Sequence, residues 1–220
     1  MNWCDGIQVS SCMLRRLVIV AVTLCCCLDA GRAAAQEEVG TVSRIQGDVS
    51  GTRGTATQPL GANASVYLNE VISTGDGTRL EITFKDNTRL TLSENVKLTL
   101  DTYIYNRTAG LGAIKFKAAG AFRFVSGQLS ELARSDVSVA TPVADIGIRG
   151  TDFWAGPIDD KALGVFLITG AVSVSNAAGM QILNESGQGT NIAAPGAAPG
   201  PVTFWPADKV NRALAAVAFR

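Results

Sequence analysis

The chain has no histidine, and its cysteines are confined to the first 27 residues. They are Cys4, Cys12, Cys25, Cys26 and Cys27. Ser-His-Asp and Cys-His nucleophilic systems and histidine-ligated zinc sites are excluded, because each needs histidine. Beyond residue 27, thiol redox chemistry is excluded as well. The enzyme classes that remain use paired carboxylates, a calcium ion held by oxygen ligands, or a Ser-Lys arrangement.

The carboxylates form no recognisable catalytic or metal-binding pattern. Most of the candidates stand where turns favour Asp: Asp86, Asp145, Asp152, Asp159 and Asp160. The pair Asp159-Asp160 lies in "GPIDDKALG", and the bounding Pro and Gly predict a solvated turn between strands. No segment has the residue spacing of an EF-hand loop. We therefore predict a non-enzymatic protein with no catalytic, cofactor-binding or metal-binding residues and no cofactor.

The one long apolar run, Leu17–Leu28, has twelve residues, fewer than the ~20 that a membrane-spanning helix needs. Arg15 and Arg16 precede this run, and the small residues Ala33–Ala35 follow it. This order is typical of a secretory signal peptide with its cleavage site. We predict a signal peptide over residues 1–35 and a periplasmic or secreted protein with no transmembrane helix after cleavage near Ala35.

The start of translation stays open between Met1 and Met13, because Met13 stands just before the two arginines. Cleavage near Ala35 would leave 16 basic and 17 acidic residues, a net charge of −1. Proteins that bind nucleic acid usually carry a basic stripe, so this balance argues against nucleic acid as a partner.

Apolar residues alternate with polar ones from Gly40 to about Asn191, which predicts short strands separated by Gly, Asn and Asp turns. In "GDGTRLEITFKDNTRLTL" the alternation runs on both sides of Asp86-Asn87, which predicts a β-hairpin. The same pattern recurs around Leu98, Ile114, Phe122, Val137 and Val172. We predict an all-β fold of short antiparallel strands, in the form of a β-sandwich, a roll or a short β-helix-like module.

The composition changes after Ile192. The segment "AAPGAAPGP" predicts a linker, because its prolines and glycines cannot hold a sheet ladder or a helix together. The following "PADKVNRALAAVAF" predicts a short C-terminal helix with Val210, Leu214 and Val217 along one side. Whether this helix docks on the domain, binds a partner or frays stays open. The predicted organisation is a β domain over residues 36–192 and a linker with a helix over residues 193–220.

The stretch "TPVADIGIRGTDFWAG" resembles the late strand of the FecR domain, which leads from Thr-Pro through aliphatic residues into Arg-Gly-Thr, a polar residue and Phe. The hairpin segment described above and "GVFLITGAVSVSNAAGMQILNESGQGTNI" also resemble segments of that family. The resemblance covers roughly residues 40–192. It implies a periplasmic all-β module that, in the family's founding members, senses an outer-membrane transporter and signals to a cytoplasmic anti-sigma segment.

The segment before the apolar run is too short to form that cytoplasmic part, so we expect a stand-alone exported FecR-like module. The resemblance then implies a non-enzymatic protein that binds a protein partner or cell-envelope component, in envelope sensing or signalling. The alternative is a protein that binds or processes polysaccharide, with Trp154 or Trp205 stacking on a sugar. A passive part in a larger surface assembly is a third hypothesis, and the oligomeric state is left open.

The motif supplies the candidate contact residues. They are Arg149, Gly150, Thr151, Asp152, Phe153 and Trp154. We expect Gly150 to allow a bend or a close backbone approach, and Thr151 and Asp152 to satisfy local backbone donors. Arg149 either pairs with an acidic neighbour or faces a partner. Because neighbouring side chains in a strand point to opposite faces, one of the two aromatic residues is expected in the core. Trp154 is then either an exposed contact residue or packed at the edge under the C-terminal tail.

Overall fold

A computed structural model describes residues 37–220. The predicted signal peptide lies outside the described residues. The strands are β1 (Glu38–Gln46), β2 (Val49–Arg53), β3 (Ala56–Pro59), β4 (Ser65–Tyr67), β5 (Val71–Thr74), β6 (Arg79–Phe84), β7 (Arg89–Leu92), β8 (Lys97–Asn106), β9 (Leu111–Ala119), β10 (Phe122–Val125), β11 (Arg134–Ala140), β12 (Asp145–Ile158), β13 (Lys161–Asn176), β14 (Gly179–Leu183), β15 (Gln188–Ile192) and β16 (Thr203–Phe204). A 3-10 turn spans Gln128–Glu131, and one helix, α1, spans Ala207–Ala215.

All the strands of residues 37–220 belong to one curled sheet. Its main path has the order β3-β2-β5-β8-β9-β11-β12-β10-β7-β6-β1-β4, and β13 adds to β12 and pairs also with β14 and β15. Every pair is antiparallel except β9 with β11. The predicted all-β class and the C-terminal helix are confirmed, and the single parallel pair makes the sheet mixed.

The long hairpin of β12 and β13 joins the two branches of this sheet. Residues 145–148 of β12 pair with β11, whereas residues 152–155 pair with β10. Strand β13 accompanies β12 along both parts. We call residues 145–149 with 171–175 the near half of the hairpin, and residues 152–156 with 164–169 the far half.

The main core lies between the two branches and is rich in phenylalanine. Phe116 of one branch has its ring centroid 5.9 Å from those of Phe122 and Phe124 in the other. Phe153 of the far half packs at the same distance against both β10 rings. Burial of these rings supplies several kcal/mol of hydrophobic stabilisation, since each large side chain contributes about 1.5–3 kcal/mol when fully buried.

The predicted hairpin around Asp86-Asn87 is confirmed by the pairing of β6 with β7. Its loop is longer than a two-residue turn, and only Asn87 has a positive φ, of 65°. Asp86 lies in the predicted turn, and its side chain is fully buried. Its carboxylate accepts hydrogen bonds from the Thr88 hydroxyl (2.6 Å) and from the backbone N–H of Leu129 (3.2 Å). The hydroxyl of Tyr103 also lies 3.2 Å from Asp86 Oδ1.

Helix α1 docks on the sheet, which resolves the three possibilities for it. Its buried face is formed by Lys209 and Ala213, and Val217 continues that face beyond the helix end. Of the predicted stripe, Val217 is buried and Val210 packs against the cluster that contains Trp205, whereas Leu214 is only partly buried. The Lys209 ammonium lies 4.1 Å from the centroid of the Trp205 ring. Between residues 37 and 220 no helix is long and apolar enough to cross a membrane.

Candidate functional site

The Arg-Gly-Thr motif forms the corner between the near and far halves of the hairpin. The regular pairing of β12 with β13 is interrupted between Arg149 and Asp152. Gly150 has φ 56° and its partner across the corner, Gly170, has φ 89°. These left-handed conformations favour glycine on both strands. The strands bend here, and this bend lets β12 leave one branch of the sheet and join the other.

The close backbone approach expected at Gly150 occurs at Gly170 instead. A Cβ at Gly150 would meet no atom within 4 Å. A Cβ at Gly170 would overlap the Gly150 carbonyl oxygen and lie 2.8 Å from Thr151 Cα. Gly150 therefore supplies only the bend, whereas Gly170 supplies both a bend and the space for the opposite strand.

Thr151 fastens the corner to neighbouring backbone, as the sequence led us to expect. Its side-chain oxygen lies 2.8 Å from the Ala171 carbonyl oxygen and accepts a hydrogen bond from the Ala171 N–H (3.3 Å). Its backbone N–H donates to the Ser126 hydroxyl at 2.8 Å. With its exposed fraction at 3%, Thr151 is protected from water, which makes these bonds costly to lose.

Asp152 and Arg149 have different partners from those considered in the sequence. Asp152 accepts a two-point hydrogen bond from Arg123 of β10, at 2.9 and 2.7 Å. This bond to Asp152 is the main reason that the pKa of Arg123 is raised. The Arg149 side chain is exposed and forms no ion pair within residues 37–220. Asp152, the acid nearest to Arg149 in the motif, is thus paired with Arg123, and the Arg149 guanidinium faces solvent.

Phe153 and Trp154 lie on opposite faces of β12, and both are buried. Phe153 belongs to the main core described above. Trp154 belongs to a second apolar cluster with Phe166 and Trp205 on the outer face of the far half. Its ring centroid lies 6.2 Å from that of Trp205. Trp154 therefore packs under the C-terminal segment and offers no exposed ring surface.

The outer face of the far half is covered by α1 and the residues around it. Asp159, in the two-residue turn that joins β12 to β13, pairs with Lys209 (3.0 Å) and Arg212 (2.7 Å). These two contacts lower the pKa of Asp159, with that of Arg212 contributing most. The Ser93 hydroxyl donates to the Ala216 carbonyl at 2.7 Å. The turn predicted at Asp159-Asp160 thus also anchors the helix.

Residues 37–220 leave the outer face of the near half uncovered. Its floor is made of small residues, Gly147 and Ser173, which lie opposite each other in β12 and β13. Ile182 of β14 and Arg149 stand on either side of this floor and line a groove of about 350 Å³. The groove combines an apolar wall with a solvent-facing cation, an arrangement suited to contact with another chain.

A second depression lies at the corner itself, with a volume of about 400 Å³. Gly150, Thr151 and Asp152 line one side of it. The other side includes Gln128 and Asn87 from two neighbouring loops. Gln128 accepts a hydrogen bond from the Tyr105 hydroxyl at 2.7 Å. The motif therefore lines a polar concave surface as well as forming the bend.

Some determinants of this site have no local signal in the sequence. Burial of the Tyr103 hydroxyl beside Asp86 raises the pKa of Tyr103, and both groups hold the loop that borders the corner. The φ angles of Gly170 and the exposure of Ile182 depend on strands distant in the chain. Within residues 37–220, no group of three His, Cys, Asp or Glu side chains is placed to hold a metal ion.

Comparison with known proteins found a match to one family model. Residues 70–173 match the model of the family described as FecR protein, which confirms the resemblance inferred from the motif. These residues include β5 to β12, the corner and most of β13. The comparison with curated proteins found no match.

Two crystal structures of a candidate anti-sigma factor from Parabacteroides distasonis ATCC 8503 are similar in fold. Each superposes with a TM-score of 0.50 at 18% sequence identity and covers 66% of this chain. This chain spans 64% of the length of one of them and 63% of the other. At this identity the likeness concerns the fold.

Proposed function

Because the chain carries a FecR domain over residues 70–173, we propose that it is an exported signalling or envelope-sensing module. It acts by binding a protein partner through the near half of the hairpin, and not by catalysis. The family description and the fold shared with a candidate anti-sigma factor support a signalling role. Export, the partner and the contact residues are the parts that this proposal adds.

The observation that carries the proposal is the contrast between the two outer faces of one hairpin. The far half uses α1 to cover Trp154 and Phe166. The near half has no such cover within the described residues, and it presents Arg149, Ile182 and a groove. An exposed arginine beside an aliphatic side chain is a common pattern in protein interfaces. We assign the partner contact to Arg149, together with the groove.

The partner contact is tested by photo-crosslinking in cells that produce the chain. A photoreactive amino acid replaces Asp145, which is exposed on the same outer face as Arg149, and a control chain carries it at Gln58 of β3. We expect position 145 to capture a discrete envelope protein that position 58 does not. Equal capture at both positions, or none at position 145, would contradict the proposal.

A charge reversal then tests the role of Arg149. In the Asp145 crosslinking background, Arg149→Glu should lower the yield of the captured protein about ten-fold, in line with the loss of about 1–2 kcal/mol at an interface arginine. The matched control is Arg107→Glu, which changes another exposed arginine in the turn between β8 and β9. If both substitutions reduce the yield equally, the effect comes from net charge and not from the groove.

Export is tested separately by sequencing the N-terminus of the protein from periplasmic and secreted fractions. We expect the product to begin near Gln36, after cleavage at Ala35. An intact N-terminus in the cytoplasmic fraction would overturn the proposed location while leaving the binding experiment interpretable.

The alternative function, polysaccharide binding, has less support. Trp154 and Trp205 were the proposed stacking residues, and their exposed fractions are 1% and 7%. While α1 is docked, neither ring offers a face on which a sugar can stack. A glycan array that shows binding abolished by Trp205→Ala, with α1 still docked, would revive this function.

A further inference from the structure

The sheet formed by residues 37–220 has four strands that pair on one side only: β3, β4, β14 and β16. Proteins usually protect such edges by making them short, or by placing charges or proline on them. Strand β4 has three residues, β16 has two, and β3 contains Pro59. Strand β14 is the exception, because its five residues Gly179–Leu183 include neither proline nor a charged residue.

Strand β14 also exposes apolar side chains next to its free edge. The exposed fractions are 60% for Met180 and 55% for Ile182. Both residues point to the outer face of the sheet, whereas Leu183 points to the core and is fully buried. Ala198 and Pro199 pass near Gly179 on that inner side, so they do not cover the edge.

The register of β13 with β14 indicates which backbone groups face outward. Asn176 pairs with Gly179 across a two-residue turn, and Gln181 pairs with Val174. In such a hairpin the pair that flanks the turn is hydrogen-bonded, and hydrogen-bonded pairs then alternate with non-hydrogen-bonded ones. Gly179, Gln181 and Leu183 therefore bond to β13. The N–H and C=O groups of Met180 and Ile182 point away from the sheet, and no further backbone bond uses them within the described residues.

We propose that β14 pairs in antiparallel fashion with β14 of a second copy of this chain, with the two-fold axis at Gln181. Met180 of each copy then faces Ile182 of the other, and their outward backbone groups form two hydrogen-bonded pairs. The two Gln181 residues face each other as a non-hydrogen-bonded pair. Strand β14 is thus complementary to itself, as a two-fold symmetric interface requires.

Charge favours a second copy over a strand of another protein. With the axis at Gln181, Glu185 faces Ala177 of the second copy, and no two like charges are placed opposite each other. An uncharged strand offers no charge by which a different partner could be selected. With an identical strand, the Met180–Ile182 contact forms twice. Such apolar cross-strand pairs stabilise a sheet, so pairing with a second copy is favoured. This inference goes beyond the proposed partner binding and does not rest on it.

Single-cysteine chains test the position of the axis. In the full-length chain, Ser replaces the five natural cysteines, and Gln181→Cys or Ala177→Cys adds one. Facing residues of a non-hydrogen-bonded pair have Cα atoms about 4.5 Å apart, within the range of disulfides. The two Ala177 positions would lie more than about 20 Å apart. We expect the chain with Gln181→Cys to form disulfide-linked dimers at least about ten-fold faster, because pairing raises the effective thiol concentration.

The oligomeric state is measured by sedimentation of the full-length chain over a range of concentrations. The inference is supported if Ile182→Lys converts the dimer to a monomer and Phe204→Lys does not. Phe204 is the control because its exposed fraction, 62%, is similar and it belongs to β16. Equal disulfide rates at positions 177 and 181, or a monomer at all concentrations, would overturn it. Capture of a different protein through position 180, which does not line the groove, would assign the edge to that protein instead. None of these results decides whether Arg149 binds the proposed partner.

Discussion

The near and far halves of the β12–β13 hairpin use the same two strands and the same core, yet their outer faces differ. The far half carries Trp154 and Phe166 outward and needs a cover, which α1 supplies. The near half carries Gly147 and Ser173 at comparable outward positions and stays open. In this hairpin, large outward rings coincide with a cover from the same chain, whereas small outward residues coincide with a face that residues 37–220 leave uncovered.

Removal of the Trp154 ring from the far half should have the largest effect on stability. Trp154→Ala leaves a cavity under α1 and should lower the free energy of unfolding by about 3–5 kcal/mol. Its counterpart on the near half, Ser173→Ala, should change that free energy by less than about 0.5 kcal/mol. Urea denaturation measures both. Similar losses for the two variants would mean that the halves do not differ in the way described.

The corner between the halves gives the next largest effect. Gly170→Ala combines a left-handed φ with overlap of the Gly150 carbonyl and should cost about 3 kcal/mol. Gly150→Ala has only the unfavourable φ and should cost about 1–2 kcal/mol. The ratio of the two losses, measured by denaturation, identifies the strand that needs the space. A larger loss at Gly150 would contradict the assignment.

The smallest effect concerns the ion pairs that hold α1 on the far half. The pKa of Asp159 is lowered in the folded protein, so its stabilising contribution is present above the usual pKa of Asp and is lost as the pH falls through the lowered value. Asp159→Asn should therefore reduce the pH dependence of hydrogen exchange in Ala207–Ala215 between neutral and acidic pH.

The control for this prediction is Asp160→Asn, in the same turn. Asp160 forms no ion pair in the part of the chain that the structure describes. Its replacement should leave the exchange profile of α1 unchanged. High salt should reduce the difference between wild type and Asp159→Asn, because these charges are exposed and screened.

Alternation of apolar and polar residues predicted several of the strands, although β12 and β13, with 14 and 16 residues, are longer than the predicted short strands. Leu80, Ile82 and Leu90 are buried as the period of two requires, and the Asp86-Asn87 hairpin forms. These features depend on residues close together in the chain, where periodicity and turn chemistry act. Thr151 does accept a hydrogen bond from a backbone N–H, as expected, but the donor, Ala171, lies on the opposite strand.

The remaining features depend on packing between distant segments. Trp154 is buried because Trp205 and α1 return to it about fifty residues later. Asp86 is buried because Leu129 and Tyr103 donate to it, and neither is its neighbour in sequence. Glycine is needed at position 170 because the backbone of Gly150 and Thr151 on the opposite strand lies too close for a Cβ. No local pattern specifies such contacts, so the sequence did not show the burial of Asp86 and left the burial of Trp154 open.

The contacts that complete the cover have a consequence for folding kinetics. The backbone N–H of Arg220 donates to Gln46 at 3.0 Å, and Arg44 lies 4.1 Å from the centroid of the Phe219 ring. Contacts with this sequence separation close long loops, so we expect the C-terminal segment to dock after the sheet has formed. Trp154 and Phe166 are covered by Trp205 and α1, so a species in which residues 205–217 are undocked presents both rings to water. We expect that species to be the one most exposed to aggregation.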